Sequence, residues 1–230
     1  MKISNLIYDY TAVLLRKIYY WRIITPPVLD TAQYFPLSQR FSTNWRKLRD
    51  EALCIAENLR AVPRFHDLMS QQEDISAQDE RDWRMFVVKA YGVTISKNAA
   101  KCPVLSELIS SNPDVLTATI SFLAPWKHIP EHQGPFRGVV RYYLGLSVPN
   151  DSTGQTGTVL TIDGVEYRLA SGQSILWDDT FAHEVRNNTG EVRIALLLDV
   201  RRKGMPLDME ILSNILIAAA GVVVRMRKFA

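Results

Sequence analysis

The sequence predicts a mainly β protein with flanking helices, folded as a double-sheet jelly roll of the cupin kind. Three observations predict it. Short runs rich in β-branched and aromatic residues follow one another closely between residues 115 and 200. The segments between them (DSTGQTG, IDGVE, ASGQ, NNTGE) are turn chemistry, with Asp163-Gly164 a hairpin signal. Helical periodicity lies outside that stretch, so the strands must cover their apolar faces on one another and on helices added at the margins.

Taken in order, residues 3–21 place Ile3, Leu6, Ile7, Tyr10, Val13, Leu14, Ile18 and Trp21 at helical spacing, with charge mostly on the other side. The pattern fits a helix in a membrane interface and a helix lying on the protein's own core equally well. Pro26-Pro27 ends it. Residues 42–60 read as a helix, with Ser42 or Thr43 as N-cap and Trp45, Leu48, Leu53 and Ile55 among charges, stopping ahead of Pro63. Residues 64–84 are polar and read as exposed loop or short helices. The first strand is expected at 83–91, and Pro103 opens a short helix. Seven strands then follow at 115–123, 138–148, 158–162, 166–169, 174–177, 182–186 and 192–200. Residues 207–229 read as a helix whose part from Ile215 to Val224 is apolar on all sides, followed by Arg225, Arg227 and Lys228. That run is about half of a ~20-residue bilayer span. Docking in a groove, pairing with a second subunit and membrane contact all remain open for it. The organisation expected is an N-terminal helical segment at 1–30, a jelly-roll domain at 31–204 and an apolar, basic C-terminal helix at 205–230.

A chain of 230 residues can bury a full core as one domain. Its charge is uneven. Residues 1–24 carry net +3 and residues 201–230 net +4, so the overall +3 leaves the middle at −4. A slightly acidic body with basic, apolar ends suits a membrane surface better than nucleic acid, which is not expected as a partner. Cys54 and Cys102 form no disulfide framework and read as reduced, mostly buried thiols of a cytoplasmic protein. Asp9, Arg16 and Lys17 interrupt any signal-peptide core, and no run of 18 apolar residues predicts a conventional spanning helix. The location expected is cytoplasmic, with membrane association compatible.

Chemistry concentrates between Ser121 and Val200. His132, in EHQGP, and His183, in DDTFAHEV, are 51 residues apart, far enough to lie on separate strands and converge across a barrel. Cavities of such barrels commonly hold a metal on histidines from different strands. Glu131 and Asp178-Asp179 precede them and could orient the imidazoles from behind. His66 and His128 are read as structural. Phe122, Leu123, Leu144, Leu146 and Trp177 are candidates for cavity lining as well as for simple core. A cupin-like binding module without catalysis is the alternative that these residues leave open.

The separations match a known pattern. Ser121 stands eleven residues before His132, followed by the HxGP turn His132-Gln133-Gly134-Pro135. Then come the RxxLGLxxP run from Arg141 to Pro149, DDTFxHE from Asp178 to Glu184, and Arg193 leading into LLLDV. Over these eighty or so residues the chain resembles the aspartyl/asparaginyl β-hydroxylase family of Fe(II)- and 2-oxoglutarate-dependent dioxygenases, which includes lipid A acyl-chain hydroxylases. The resemblance implies a double-stranded β-helix with His132 and His183 as iron ligands. Arg193 would pair with the distal carboxylate of 2-oxoglutarate, Ser121 would donate to it, and Arg141 would lie near the cosubstrate or the substrate's own acid group. Gly134 stands where other oxygenases of that superfamily carry a carboxylate ligand, as it does in these hydroxylases. Tyr143 replaces the family's frequent histidine, so the cosubstrate's other carboxylate would be held differently. The implied reaction uses O2 to hydroxylate an unactivated C–H of an aspartyl- or asparaginyl-like, peptide or small-molecule substrate, or alternatively of a lipid acyl chain.

Overall fold

The computed structural model of the chain describes residues 3–226. Helices α1 (Ile3–Arg22), α2 (Thr31–Tyr34), α3 (Ser38–Thr43), α4 (Trp45–Ala56) and α5 (Phe65–Leu68) come first. Strands β1 (Trp83–Ala90) and β2 (Val93–Thr94) and helices α6 (Ser96–Ala99) and α7 (Pro103–Ser110) follow. Then come β3 (Val115–Leu123), β4 (His128–His132), β5 (Val139–Ser147), β6 (Thr158–Ile162), β7 (Val165–Tyr167), β8 (Ser174–Trp177), β9 (His183–Asn187), β10 (Arg193–Arg201) and helix α8 (Leu207–Met226). All strand pairs are antiparallel, in a six-stranded sheet ordered β2-β1-β3-β10-β5-β8 and a four-stranded sheet ordered β4-β9-β6-β7. The fold is the expected mainly β jelly roll with helices on its outside.

The period-two alternation of the long central strands sorts their side chains into two layers. Ala118, Ile120 and Phe122 of β3, Val140, Tyr142, Leu144 and Leu146 of β5, and Ile194, Leu196, Leu198 and Val200 of β10 form one cluster with Leu48 of α4 and Leu105 of α7. The opposite faces of the same strands meet the four-stranded sheet, where Tyr143, Ile175, Trp177 and Ala195 pack against Leu160 and Ile162. Ser121, Arg141 and Arg193 point into that space too, so the layer between the sheets is only partly apolar. Phe122, Leu144 and Leu146 therefore belong to the helix-side core, and of the residues singled out as cavity lining only Trp177 faces the cavity.

Several elements depart from the expectations. The segment carrying His132 is itself a strand, β4, which is not among the seven expected from the sequence; it pairs only with β9, and an edge position tolerates Pro130. Helix formation near residue 42 starts earlier, at Ser38, and Asn44 separates α3 from α4 by donating its amide to Arg40 O at 2.9 Å, so neither Ser42 nor Thr43 caps a helix. Residues 64–84 are tied down rather than loose: Phe65 and Ile75 are buried, and the buried ammonium of Lys127 donates to Ser76 O and pairs with Asp79. Cys54 is exposed while Cys102 is buried. The Asp163-Gly164 hairpin forms as expected, with φ of 49° and 80° closing β6 onto β7. The part of the C-terminal helix expected beyond residue 226 lies outside the described residues.

The two terminal helices pack together on the sandwich. Tyr19, Ile23, Phe136, Val139, Met209 and Ile217 form their shared core. Tyr19 Oη and Ser213 Oγ are 2.7 Å apart, and Arg22 forms a fork with Asp208. Beneath them the carboxylate of Asp178 takes hydrogen bonds from Arg137 and Arg202, and its other oxygen accepts from Thr180 N and Oγ1. Arg137 also donates to Ile23 O at 2.8 Å, and Arg202 to Arg137 O at 2.7 Å. All three charged side chains are buried, with Asp178 0% exposed. Removing one member of such a cluster leaves buried charge uncompensated, which costs about 3–5 kcal/mol. Asp178→Ala is expected to lose stability of that order in urea unfolding followed by tryptophan fluorescence, whereas Lys17→Ala, at an exposed site, changes it by less than about 1 kcal/mol.

Candidate active site

The cavity between the sheets is lined on the six-stranded side by Trp83, Ser121, Arg141, Tyr143, Trp177 and Arg193. His132, His183 and Thr158 face them from the four-stranded sheet, among apolar neighbours such as Leu160 and Val185. With its open mouth the cavity encloses about 560 Å³ of space free of atoms.

The two histidines are direct cross-strand partners in β4 and β9, with ring centroids 4.2 Å apart. Each ring is fixed by its own strand. His132 Nδ1 lies 2.8 Å from Pro130 O, and His183 Nδ1 lies 2.9 Å from Phe181 O. A carbonyl oxygen only accepts, so in the neutral rings the proton sits on Nδ1 and each Nε2 keeps its lone pair. Burial lowers the pKa of both imidazoles, and that of His183, which also faces His132 and Arg141, falls well below the ordinary value. Two neutral, adjacent nitrogen donors of this kind suit a borderline transition-metal ion. Among the described residues no third histidine, cysteine or carboxylate completes a cluster with them. Gly134 shows why one cannot come from its position: a Cβ there would collide with the Asp179 carboxylate, and Gly134 N already donates to Asp179 O at 2.7 Å. The expectation that Glu131, Asp178 and Asp179 orient the imidazoles is corrected by these contacts. Backbone carbonyls hold the rings, Asp178 belongs to the arginine cluster, and Asp179 pairs with Arg141 at 3.3 Å.

The two arginines of the cavity differ sharply. Arg141 donates from Nε to Asp199 at 2.9 Å as well as facing Asp179. Burial opposes its charge, but those two carboxylates outweigh burial and hold it more firmly protonated than a free guanidinium. Burial also raises the Asp179 pKa to about 6 against the pull of Arg141. Arg193 is 3% exposed and has no carboxylate partner; its Nη1 reaches Ser121 Oγ at 3.4 Å, its Nε finds no acceptor, and its guanidinium stands 5.9 Å from the Tyr143 ring. Burial accordingly lowers its pKa. A buried, uncompensated guanidinium facing a cavity is a receptor for an anion.

Two further groups, Trp83 and Thr158, were invisible in the sequence, and Trp177 was expected only as lining and not as a polar group. Trp83 Nε1 donates to Ser121 Oγ at 3.0 Å, so that oxygen accepts from both Trp83 and Arg193 and its own proton is directed to another partner. Thr158 Oγ1 and Trp177 Nε1 are buried on the cavity wall without a hydrogen-bond partner. Strand register places Thr158 at the Arg193 end. It is opposite Asn187, whose amide donates to Leu123 O, and Leu123 is opposite Arg193. Trp177 is opposite Arg141, and its ring meets that of His183 at 6.0 Å, which places it at the histidine end. The only sequence signal for these groups is a polar or indole side chain at an inward position of a strand.

The cavity thus joins an end with two neutral imidazoles to an end with a guanidinium that no carboxylate of the described residues offsets. Comparison with known proteins agrees with a hydroxylase. The family model for aspartyl/asparaginyl beta-hydroxylase matches residues 42–203. The chain is 31% identical over 182 residues to the ornithine lipid ester-linked acyl 2-hydroxylase of Rhizobium tropici, an alignment that covers 78% of this chain and 62% of that protein. It is 24% identical over 173 residues to the aspartyl/asparaginyl beta-hydroxylase of Homo sapiens, covering 73% of this chain and 21% of that one. The chain therefore spans less than two thirds of the length of these relatives. Among solved structures, a cupin domain of an Enterobacter cloacae transcriptional regulator aligns at 20% identity over 38% of this chain and 82% of its own, with a TM-score of 0.31. With the family model matching well over half of its length, the chain belongs to the aspartyl/asparaginyl beta-hydroxylase family.

Proposed function

We propose that this chain is an Fe(II)- and 2-oxoglutarate-dependent hydroxylase that uses O2 to oxidise an unactivated C–H bond. The observation that carries the reading is the Arg193 guanidinium, buried without an anion in the same cavity as two free imidazole nitrogens. His132 and His183 would hold the iron through Nε2, and bound iron supplies the oxidising power when it meets O2 and the oxo acid. Two protein donors would leave room in the cavity beside the iron for the oxo acid. Arg193 would form a charge-assisted pair with the distal carboxylate, a task suited to its planar fork. The Ser121 proton would be donated to the same carboxylate, and Thr158 is placed by register to add a third donor. Arg141, already neutralised by Asp179 and Asp199, would position groups at the histidine end with Tyr143 and Trp177 beside it. The walls formed by Ile129, Leu160, Leu169 and Val185 keep water from the reacting centre.

A lipid acyl chain is the substrate class that fits best, because the lipid hydroxylase relative aligns over most of this chain and because both terminal helices carry bare apolar faces. An aspartyl or asparaginyl side chain of a peptide is the second reading, supported by the mammalian relatives.

Anaerobic addition of Fe(II) and 2-oxoglutarate should give a weak visible charge-transfer band; folded protein that binds neither would overturn the proposal. His183→Ala should abolish that band and metal binding in equilibrium dialysis. Arg193→Met separates ligand binding from folding: replacing an unpaired buried charge with an apolar chain should leave the ligand-free melting temperature unchanged or higher. The same variant should lose the stabilisation of about 2.7 kcal/mol that 2-oxoglutarate at 100-fold its Kd gives the parent. Gly134→Asp should lower stability without adding metal affinity, since Asp179 fills the space a third ligand would need. Because burial favours the neutral form of both histidines, competition titration should find Fe(II) affinity level down to the ordinary imidazole pKa of about 6.5 and falling only below it.

A further inference from the structure

α1 is apolar on two sides. Its buried side, Ala12, Tyr19 and Ile23, faces the body of the protein. The stripe that the sequence marks as most apolar faces outward instead: Tyr10 is 73% exposed, Leu14 50% and Trp21 81%, and Ile24 just beyond the helix is 94% exposed. Lys17 lies on the same stripe between Leu14 and Trp21. A helix covered by solvent alone has a polar outer face, so this stripe is built for another medium.

α8 repeats the arrangement. Met209, Ser213, Ile217 and Gly221 recur every four residues on its buried side, and the helix lies so close to the body that a Cβ on Gly221 would stand 3.0 Å from Tyr91 O. No charged residue occurs from Ile211 to Val224, yet Ile215 is 61% exposed and Val222, Val223 and Met226 are also bare. By length and composition α8 could cross a membrane. Its contacts with Tyr19 and the Arg22–Asp208 fork instead hold it along the protein surface beside α1. Each helix thus turns an apolar stripe to solvent, and the contacts of Tyr19 with Ser213 and Met209 join the two helices in one surface. Aromatic residues and a lysine stand on it, a combination favoured where hydrocarbon meets headgroups. Arg202, Lys203 and Arg22 of the basic terminal segments are paired with Asp178, Asp114 and Asp208, which leaves the exposed Lys17 of α1 and Arg225 of α8 to complement anionic lipid.

The helix that forms the platform also forms the wall of a cleft. Ala12, Val13 and Arg16 of α1 face Gln71, Glu73 and Ile75 across it, and His132 lines both this cleft and the cavity between the sheets. Val13, at 42% exposure, stands where the cleft meets the bare face.

We propose that α1 and α8 together form a docking platform for an anionic lipid bilayer, which sets the mouth of this cleft at the membrane surface as the entrance for a lipid acyl chain. The docking stands on the platform alone; the role of the cleft rests on the oxygenase reading above. The platform lies flat, with its apolar stripes in the headgroup layer and the sandwich above it.

Flotation of the full chain on density gradients tests it, with vesicles of phosphatidylcholine alone or mixed with phosphatidylglycerol. The parent should rise with the anionic vesicles and be released by high salt or by the pair Trp21→Glu and Ile215→Glu. Both sites are exposed, so the pair should melt like the parent and consume 2-oxoglutarate without substrate at the parent's rate. A parent that stays at the bottom with both vesicle types overturns the docking. So does a dimer in light scattering that the same two substitutions split, since that would assign the face to a second copy. Flotation without any 2-oxoglutarate consumption would sink the oxygenase reading and leave the docking standing, so the two failures are distinguishable.

Discussion

The carboxylate of Asp178 holds together parts of the chain that are far apart in sequence. Through Arg137 and Arg202 it reaches the exit of α1 at Ile23 and Thr25, the turn that leads into β5 and the end of β10; through Thr180 it fixes the turn that delivers His183. Its own backbone N–H donates to Pro27 O at 2.9 Å. The neighbouring Asp179 does the same for the facing strand, since its carbonyl takes the Gly134 N–H two residues after His132. Two consecutive aspartates therefore set the distance between the two histidine-bearing turns, although neither touches a histidine ring. A buried carboxylate shared by two guanidiniums tolerates little displacement, because any gap would leave a charge without a partner in a region that water does not reach.

The treatment of charge inside the sandwich separates structure from function. Arg137, Arg141 and Arg202 all have carboxylates within reach, as a folded protein ordinarily requires of buried cations. Arg193 alone among the buried arginines of the sandwich is left with a hydroxyl and an aromatic face. Its environment is unfavourable for a lone guanidinium, because burial penalises a charge that no neighbouring carboxylate of the described residues offsets. The polar rows survive between the sheets because the helix-side faces of β3, β5 and β10 already supply a large apolar core.

Much of this was legible in the sequence. Turn residues and β-branched runs gave β3, β5, β6, β8, β9 and β10 within a residue or two, because all but β9 are largely covered on both faces and Gly, Asn and Asp stand at most of their boundaries. β4 was hidden because a five-residue edge strand with a central proline has no pattern to show. His132, His183, Ser121, Arg141, Tyr143 and Arg193 do line one cavity. Trp83 and Thr158 escaped because their meaning lies in cross-strand register, set by partners dozens of residues away. The aspartates were misread for the same reason: proximity in sequence to His183 suggested contact with the ring, while the chain direction sends their side chains to Arg141 and the Arg137–Arg202 pair.

α1 poses the same difficulty in a different form. Periodicity finds the apolar stripe of a helix but cannot say what medium that stripe meets, and here the stripe of Tyr10, Leu14 and Trp21 meets solvent while Ala12, Leu15 and Tyr19 meet protein. Through Ala12, Val13 and Arg16 the same helix lines the cleft that His132 also lines. The Asp178 cluster anchors the end of that helix to the turn carrying His183. The position of α1 and the position of the His183 turn are therefore set by one buried carboxylate, through Arg137 on one side and Thr180 on the other.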